Sequence, residues 1–151
     1  MIIRKDTKFK LATNILDIMA VREIRNECRK YFTNDTSYIS VFKQLRWYFG
    51  FYRKACRSNI YRVYILYSSN SPVGYGALHF KDNQLFITEG VAPQYRGMRF
   101  GTTILRKLQR IAKKENFTLI AEILALNKCS INLHKKAGFK LVKGGIKRYA
   151  Y

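Results

Sequence analysis

The densest run of chemically capable residues in this chain is Val91-Ala92-Pro93-Gln94-Tyr95-Arg96-Gly97-Met98-Arg99-Phe100-Gly101-Thr102-Thr103. Before it, Gln84 to Val91 is rich in apolar and β-forming residues; after it, Phe100, Ile104, Leu105, Leu108 and Ile111 recur at a helical period. A strand therefore runs into a glycine-containing turn that opens a helix. Successive amides of such a turn, with the positive end of the helix dipole, form an anion site, and Gly97 and Gly101 let a phosphate approach without a Cβ in its way. Spacing excludes two phosphate-binding designs. A nucleotide loop of the form Gly-x-x-x-x-Gly-Lys-Ser/Thr needs a lysine where this chain has Thr102. A dinucleotide fingerprint belongs near a first strand, with an acid about 20 residues on, and this turn lies two thirds along the chain.

The turn resembles the acyl-coenzyme A site of the GNAT superfamily of N-acyltransferases. That family's Arg/Gln-x-x-Gly-x-Gly/Ala pattern is met by Arg96, Arg99 and Gly101, with Arg99 standing where the family usually has glycine. The strand exit Val91-Ala92-Pro93 and the block from Asn127 to Gly138-Phe139, which looks like the family's Asn-led helix closing in Gly-Phe, extend the resemblance over residues 84 to 143. It implies an α/β (α+β) fold, a mixed and mostly antiparallel central sheet flanked by helices, in one domain over residues 1–151, with acetyl-coenzyme A as co-substrate. Carried onto these positions, it places the pyrophosphate on the turn amides of Arg96, Gly97, Met98, Arg99, Phe100, Gly101 and Thr102. Asn127 contacts the pantetheine arm or caps the next helix, and Ser130 beside it is a further coenzyme-binding residue. A disturbed strand pairing would free the Val91 amide toward the thioester carbonyl, with Gly90 suited to a bulge. Many members carry a Tyr before the Gly-Phe ending as general acid; here that position is His134, whose imidazolium donates a proton more readily than a phenol.

Acetyl transfer to an amine needs a neutral amine, a polarised carbonyl and a proton for the departing thiolate. Because an alkyl ammonium has a pKa near ~10, a carboxylate must accept its proton directly or through water. Glu89 is the first candidate: alternation puts it on the face shared by Leu85, Ile87 and Val91, where desolvation raises a carboxyl pKa. Glu122, on the next strand, stands in reserve, and Tyr95, Tyr149 and Tyr151 are further donors. Cys129, at a helix start, has two readings, an acyl-accepting thiol or a packed small residue.

These groups need an ordered scaffold. The patterning predicts a strand over 2–10, a helix over 14–31 capped by Asn14, and a helix over 40–57 capped by Ser40. Strands over 61–67, 73–80 and 84–91 follow as an antiparallel meander, then a helix over 100–114, a strand over 117–124, a helix over 130–137 and two strands flanking Gly144-Gly145. With 151 residues, 48% hydrophobic and 15% aromatic, the chain can bury one core and is too short for two ordinary domains. No apolar run approaches the ~20 residues of a membrane span and no signal-peptide core opens the chain, so a cytoplasmic location is expected. Cys28, Cys56 and Cys129 are widely separated and lack metal-ligand spacing with His79 or His134, which predicts free thiols and no metal.

Charge bears on the acceptor. Lys and Arg number 29 against nine acids, a formal net charge of +20, more than one coenzyme A molecule calls for. Basic residues interleave with aromatics through Trp47 to Tyr64, a composition suited to phosphate contact and base stacking. Three readings follow. One is an acetyltransferase acting on nucleic acid or on a protein bound to it. Another is an acetyltransferase for a small anionic amine such as a nucleotide-linked amino sugar, since Arg25-Asn26 and Gln44-x-x-Trp47 resemble substrate-side helices of such enzymes. The third is a non-catalytic nucleic-acid-binding module on the same fold, in which Glu89 and His134 do not matter.

Overall fold

The computed structural model describes residues 6–33, 35–143 and 147–151, the side chains of Lys143, Lys147 and Arg148 excepted. The part of the first expected strand before Asp6, and Gly144-Gly145, lie outside them. Local chemistry sets the helix starts. Asn14 is extended, and its side chain accepts the Asp17 N–H at 2.9 Å, opening α1 (Ile15–Cys28). Ser40 accepts the Lys43 N–H at 3.1 Å and opens α2 (Val41–Trp47). The helix expected over 40–57 is one helical stretch in three pieces: α2, a π-helical turn Tyr48–Tyr52 and α3 (Arg53–Arg57). The wider turn brings both Tyr48 and Tyr52 inward, where their hydroxyls donate to Thr13 O at 3.0 Å and Ala12 O at 2.6 Å.

Strands β1 (Thr7–Leu11), β2 (Tyr61–Ser68), β3 (Ser71–Lys81) and β4 (Gln84–Val91) form the expected antiparallel run. Its two hairpin turns, Ser69-Asn70 and Asp82-Asn83, hold positive φ at both residues, the left-handed pair that matches strand twist. A 3-10 turn, Pro93–Tyr95, leads to α4 (Phe100–Lys114), β5 (Leu119–Ile123), α5 (Lys128–Lys136), β6 (Lys140–Lys143) and β7 (Lys147–Ala150). The sheet order is β1-β2-β3-β4-β5-β7-β6; β4 and β5 are parallel and every other pairing is antiparallel.

Helices cover both faces. On one, the α4 stripe of Phe100, Ile104, Leu105 and Leu108 packs against Leu78, Leu85 and Ile87. Gly74 and Gly76 admit it: a Cβ on Gly76 would stand 2.8 Å from a Leu108 methyl. On the other face, α1 and the α2–α3 stretch bury Ile18, Ile24, Tyr48 and Tyr52 against Val63, Ile65 and Tyr75. No described helix is long and apolar enough to cross a membrane. Leu108 is fully buried between α4 and the sheet. Replacing it by alanine is expected to lower unfolding free energy by about 2–5 kcal/mol, measured by denaturant titration.

Candidate active site

The site begins where a strand pairing stops. Strands β4 and β5 pair at Leu85–Leu119, Phe86–Ile120 and Ile87–Ala121, and no pairing continues beyond that point. Thr88, Glu89, Gly90 and Val91 then form one wall of a cleft of about 1150 Å³, with Ala121, Glu122, Ile123 and the start of α5 opposite. Strand alternation fixes which amides face the gap. The Leu85 N–H donates to Thr118 O on the β5 side, while the Ala92 N–H donates to Val73 O on the β3 side. Counting in twos, the N–H groups of Glu89 and Val91 point toward β5, where no strand meets them.

The bulge expected at Gly90 is absent. Pairing with β3 runs unbroken through Gly76–Glu89, Tyr75–Gly90 and Gly74–Val91. Gly90 answers a packing demand instead: a Cβ there would lie 2.9 Å from the Tyr75 ring and 3.4 Å from Cys28 Sγ. The departure of β5, rather than a defect in the β3 ladder, exposes the Val91 amide.

Beyond β4, the Arg96 N–H is engaged by Pro93 O at 3.3 Å, so Arg96 drops out of the expected set of phosphate-facing amides. The amides of Gly97, Met98, Gly101 and Thr102 have no hydrogen-bond partner among the described residues, and no side chain caps α4. Gly97 holds φ +74°, and Arg99 holds φ 65°, ψ 16°. A left-handed conformation is what glycine adopts without strain, so Arg99 holds backbone angles that a side chain disfavours. Gly101 lies where three elements meet: its Cβ would be 3.3 Å from Leu133 of α5 and 3.8 Å from Val91 of β4. Met98 is exposed and lies outside the cleft wall, while Phe100 is buried and lines it. The Arg96 side chain turns away from the phosphate turn, its Nε toward Val91 O at 3.4 Å and its guanidinium toward Cys28 Sγ and over the Tyr31 ring.

Of the two expected roles for Asn127 the structure shows the cap: its side chain accepts the Ser130 N–H at 3.3 Å, starting α5. Within α5, the Ser130 carbonyl lies 2.7 Å from His134 Nδ1. A carbonyl only accepts, so Nδ1 carries a proton, and in a neutral ring Nε2 is left with its lone pair. That nitrogen sits 3.2 Å from Glu89 Oε1. The two expected catalytic residues are thus joined directly across the gap. Burial pushes the Glu89 carboxyl from its ordinary 4.5 up to about 8. Desolvation also lowers the His134 imidazole, against the raising effect of the Ser130 carbonyl. Both directions favour neutral forms, so the contact is a carboxylic acid donating to an imidazole and not an ion pair. Glu89 Oε2 is buried with no protein partner among the described residues.

Glu122 faces the other way. It alternates with Ala121 and Ile123, which belong to the core under α4, so it lies on the α1 side of the sheet and lines the cleft from there. Among the further donors, Tyr95 lines the cleft, Tyr149 is buried in the core, and Tyr151 is half exposed and stacks against Phe139. Cys129 is exposed on the cleft wall, which removes the packed reading. Cys28, buried beside Gly90, joins the site without any local sequence signal, because 62 residues separate the two. Among the described residues no group of three His, Cys, Asp or Glu side chains could hold a metal ion.

Residues 18–139 match the acetyltransferase (GNAT) family model. No curated protein matches the sequence. Solved structures share the fold. An N-acetyltransferase from Staphylococcus aureus Mu50 superposes with TM-score 0.79 at 19% identity, covering 97% of this chain and 98% of that one. A ribosomal-protein-alanine N-acetyltransferase from Brucella melitensis gives 0.76 at 20% identity over 95% and 96%. A paiA N-acetyltransferase from Thermoplasma acidophilum, solved in complex with coenzyme A, gives 0.68 at 16% identity over 95% and 97%.

Two outcomes follow for this site. The folded state keeps the Glu89 proton to higher pH than the unfolded chain does, so its contribution to stability is complete below about 4.5 and is lost as pH rises toward about 8. Glu89→Gln should flatten that fall in denaturant titrations across the interval. Gly101→Glu, which sets a carboxylate and its bulk among α4, α5 and β4, should weaken acetyl-coenzyme A binding at least tenfold by calorimetry, an order-of-magnitude figure for one like-charge clash.

Proposed function

The chain belongs to the GNAT family of acetyltransferases and is an acyltransferase using acetyl-coenzyme A; from that premise we propose that its acceptor is an amine on a protein held within a nucleic acid assembly. One observation carries this reading. Among the described residues the cleft wall holds four of the chain's nine carboxylates, Asp35, Asp82, Glu89 and Glu122, against five of its 29 basic residues, Arg25, Lys81, Arg96, Arg99 and Lys128. Two of those five, Arg99 and Lys128, stand at the phosphate turn and the start of α5, the coenzyme end, and a third, Arg96, is turned onto Cys28 and the Tyr31 ring. The excess positive charge therefore lies outside the cleft. A basic exterior attracts a polyanion, and a cleft lined by Asp35, Asp82 and Glu122, with Glu89 neutral until it ionises, receives an amine. A protein amine presented from nucleic acid satisfies both; a nucleic acid threaded into the cleft does not. A relative of the same fold is named a ribosomal-protein-alanine N-acetyltransferase, which accords with an acceptor of this class.

In this reading the amides of Gly97, Gly101 and Thr102 hold the pyrophosphate, and the Val91 N–H donates to the thioester carbonyl. The amine attacks that carbonyl: a C–N bond forms, the C–S bond breaks, the amine proton passes to ionised Glu89, and the protonated Glu89–His134 pair gives a proton to the departing thiolate. Glu89 and His134 act as one unit. Ionised Glu89 accepts the amine proton, and His134, its tautomer fixed by Ser130, takes or returns that proton through Nε2. The acid role expected for His134 is thereby exercised through the carboxyl group. Asn127 and Ser130 keep α5, and with it the imidazole, in place.

The test combines label and variant. Nuclease-treated enzyme, labelled acetyl-coenzyme A and a cell extract divided into nucleic acid, protein and small-molecule fractions should give label in the protein fraction; label in either other fraction contradicts the acceptor assignment. With a small amine acceptor, kcat/KM should rise with pH through a midpoint near 8. Glu89→Gln should lower kcat by roughly a hundredfold or more with coenzyme affinity retained. Turnover unchanged in Glu89→Gln but lost in Glu122→Gln would move the base to the other wall.

A further inference from the structure

From Val41 to Arg57 the chain carries Lys43, Arg46, Arg53, Lys54 and Arg57 and no acid. The apolar side of this stretch is already occupied: Tyr48, Tyr52 and Ala55 are buried, and Trp47 stacks on Tyr52 at 4.9 Å. A second aromatic set remains outside. Phe42 is 70% exposed and Phe49 62% exposed, and neither belongs to the core. Each lies under a guanidinium from the next turn, Arg46 at 5.4 Å from the Phe42 centroid and Arg53 at 5.8 Å from that of Phe49. Ring and cation thus alternate along one exposed ridge at spacings of four, three and four residues. Large aromatics left mostly exposed, Phe49 touching the core only edge-on through Tyr48, mark an interaction surface, and the guanidiniums over the rings identify its chemistry.

We infer that this ridge binds an unpaired stretch of nucleic acid, its bases stacking on the Phe42 and Phe49 rings and its phosphates meeting the Arg and Lys side chains. Stacking asks for a free ring face, which each Phe keeps on the side away from its guanidinium, and phosphates ask for cations; Arg46 and Arg53 supply these on a chain of net charge +20, while Lys43 is paired with Asp35 at 3.7 Å. An anionic membrane fits less well. An interfacial helix lowers a continuous apolar sector into lipid; here Tyr48 and Tyr52 turn inward, and the apolar residues left outside, Val41, Phe42, Phe49 and Phe51, are interrupted by Lys43, Arg46 and Arg53. Of the aromatics expected to interleave with basic residues over Trp47 to Tyr64, Phe49 and Phe51 stay exposed, whereas Tyr48 and Tyr52 are buried and Trp47 and Tyr61 are partly buried in packing against them. A ridge of this kind rests on the nucleic-acid-borne acceptor for its purpose, yet RNA binding can fail while acetyl transfer stands.

The test is fluorescence anisotropy of the full chain with an unpaired RNA oligonucleotide of about a dozen residues. The wild type should bind with a steep salt dependence. Phe42→Ala with Phe49→Ala should weaken binding by roughly tenfold or more with the salt slope retained. Arg46→Ala with Arg53→Ala should reduce both affinity and slope. Acetylation of a small amine by the Phe42/Phe49 variant should stay at the wild-type rate, which establishes that the protein is folded and separates this surface from the active site. Equal RNA affinity in the Phe variant and the wild type would overturn the inference, leaving attraction by charge alone. So would absence of RNA binding, or binding to phosphatidylcholine–phosphatidylglycerol vesicles in preference to RNA.

Discussion

The end of β4–β5 pairing at Ile87 and Ala121 is the constraint on which the rest of this molecule depends. A strand interior to a sheet normally satisfies its amides on both sides, and leaving them unmet in a buried place is costly. Here the cost is limited because the amides of Glu89 and Val91, which no described strand meets, face an open cleft and not packed protein. Three elements meet beside the opening: Leu133 of α5 and Val91 of β4 both come up to Gly101 in the first turn of α4. The same geometry brings the start of α4, with its unpartnered amides, to the end of β4. Anion site, exposed strand amide and acid–base pair all follow from one departure between two strands.

Where the strands no longer bond to each other, side chains do. Glu89 of β4 and His134 of α5 meet at 3.2 Å across the opening. Neither is charged in its resting form, because the environment that brings them together also removes the water that would stabilise charge. A neutral pair is tolerated in such a place where an ion pair would need further hydrogen bonds to offset its desolvation. It is also a proton reservoir. The second carboxyl oxygen, Oε2, keeps an acceptor without a protein partner among the described residues, and the imidazole is held in one tautomer by a main-chain carbonyl. Arrangements of this kind suit a reaction in which one proton leaves a nucleophile and one reaches a leaving group.

Much of this was legible in the sequence because it is local. Asn14 and Ser40 cap the helices they precede, Asp82-Asn83 turns β3 into β4, and the helix over 100–114 has the bounds its periodicity predicts. Alternation alone placed Glu89 on the face it occupies. What the sequence could not show depends on contacts between distant segments. Gly90 read as a bulge residue, because nothing local says that the Tyr75 ring and Cys28 lie over it. Arg96 read as an amide donor to phosphate, although the preceding Pro93 turn engages its N–H and Cys28 and Tyr31 draw its side chain away. Met98 lies in the motif but outside the cleft, since a motif fixes backbone conformation and not the direction of each side chain. The joining of Glu89 to His134, 45 residues apart, needed β5 and α5 to be in place.

The account stands most directly on the Val91 amide, the group that strand separation turns toward the cleft. With valine labelled by ¹⁵N and the Val91 resonance assigned, its amide proton should move downfield on saturation with acetyl-coenzyme A, and by less with coenzyme A, which lacks the carbonyl. A Val91 resonance unmoved by acetyl-coenzyme A, while the amides of Gly97 and Gly101 respond, would show that the coenzyme binds at the turn and the separated strands do not polarise its thioester.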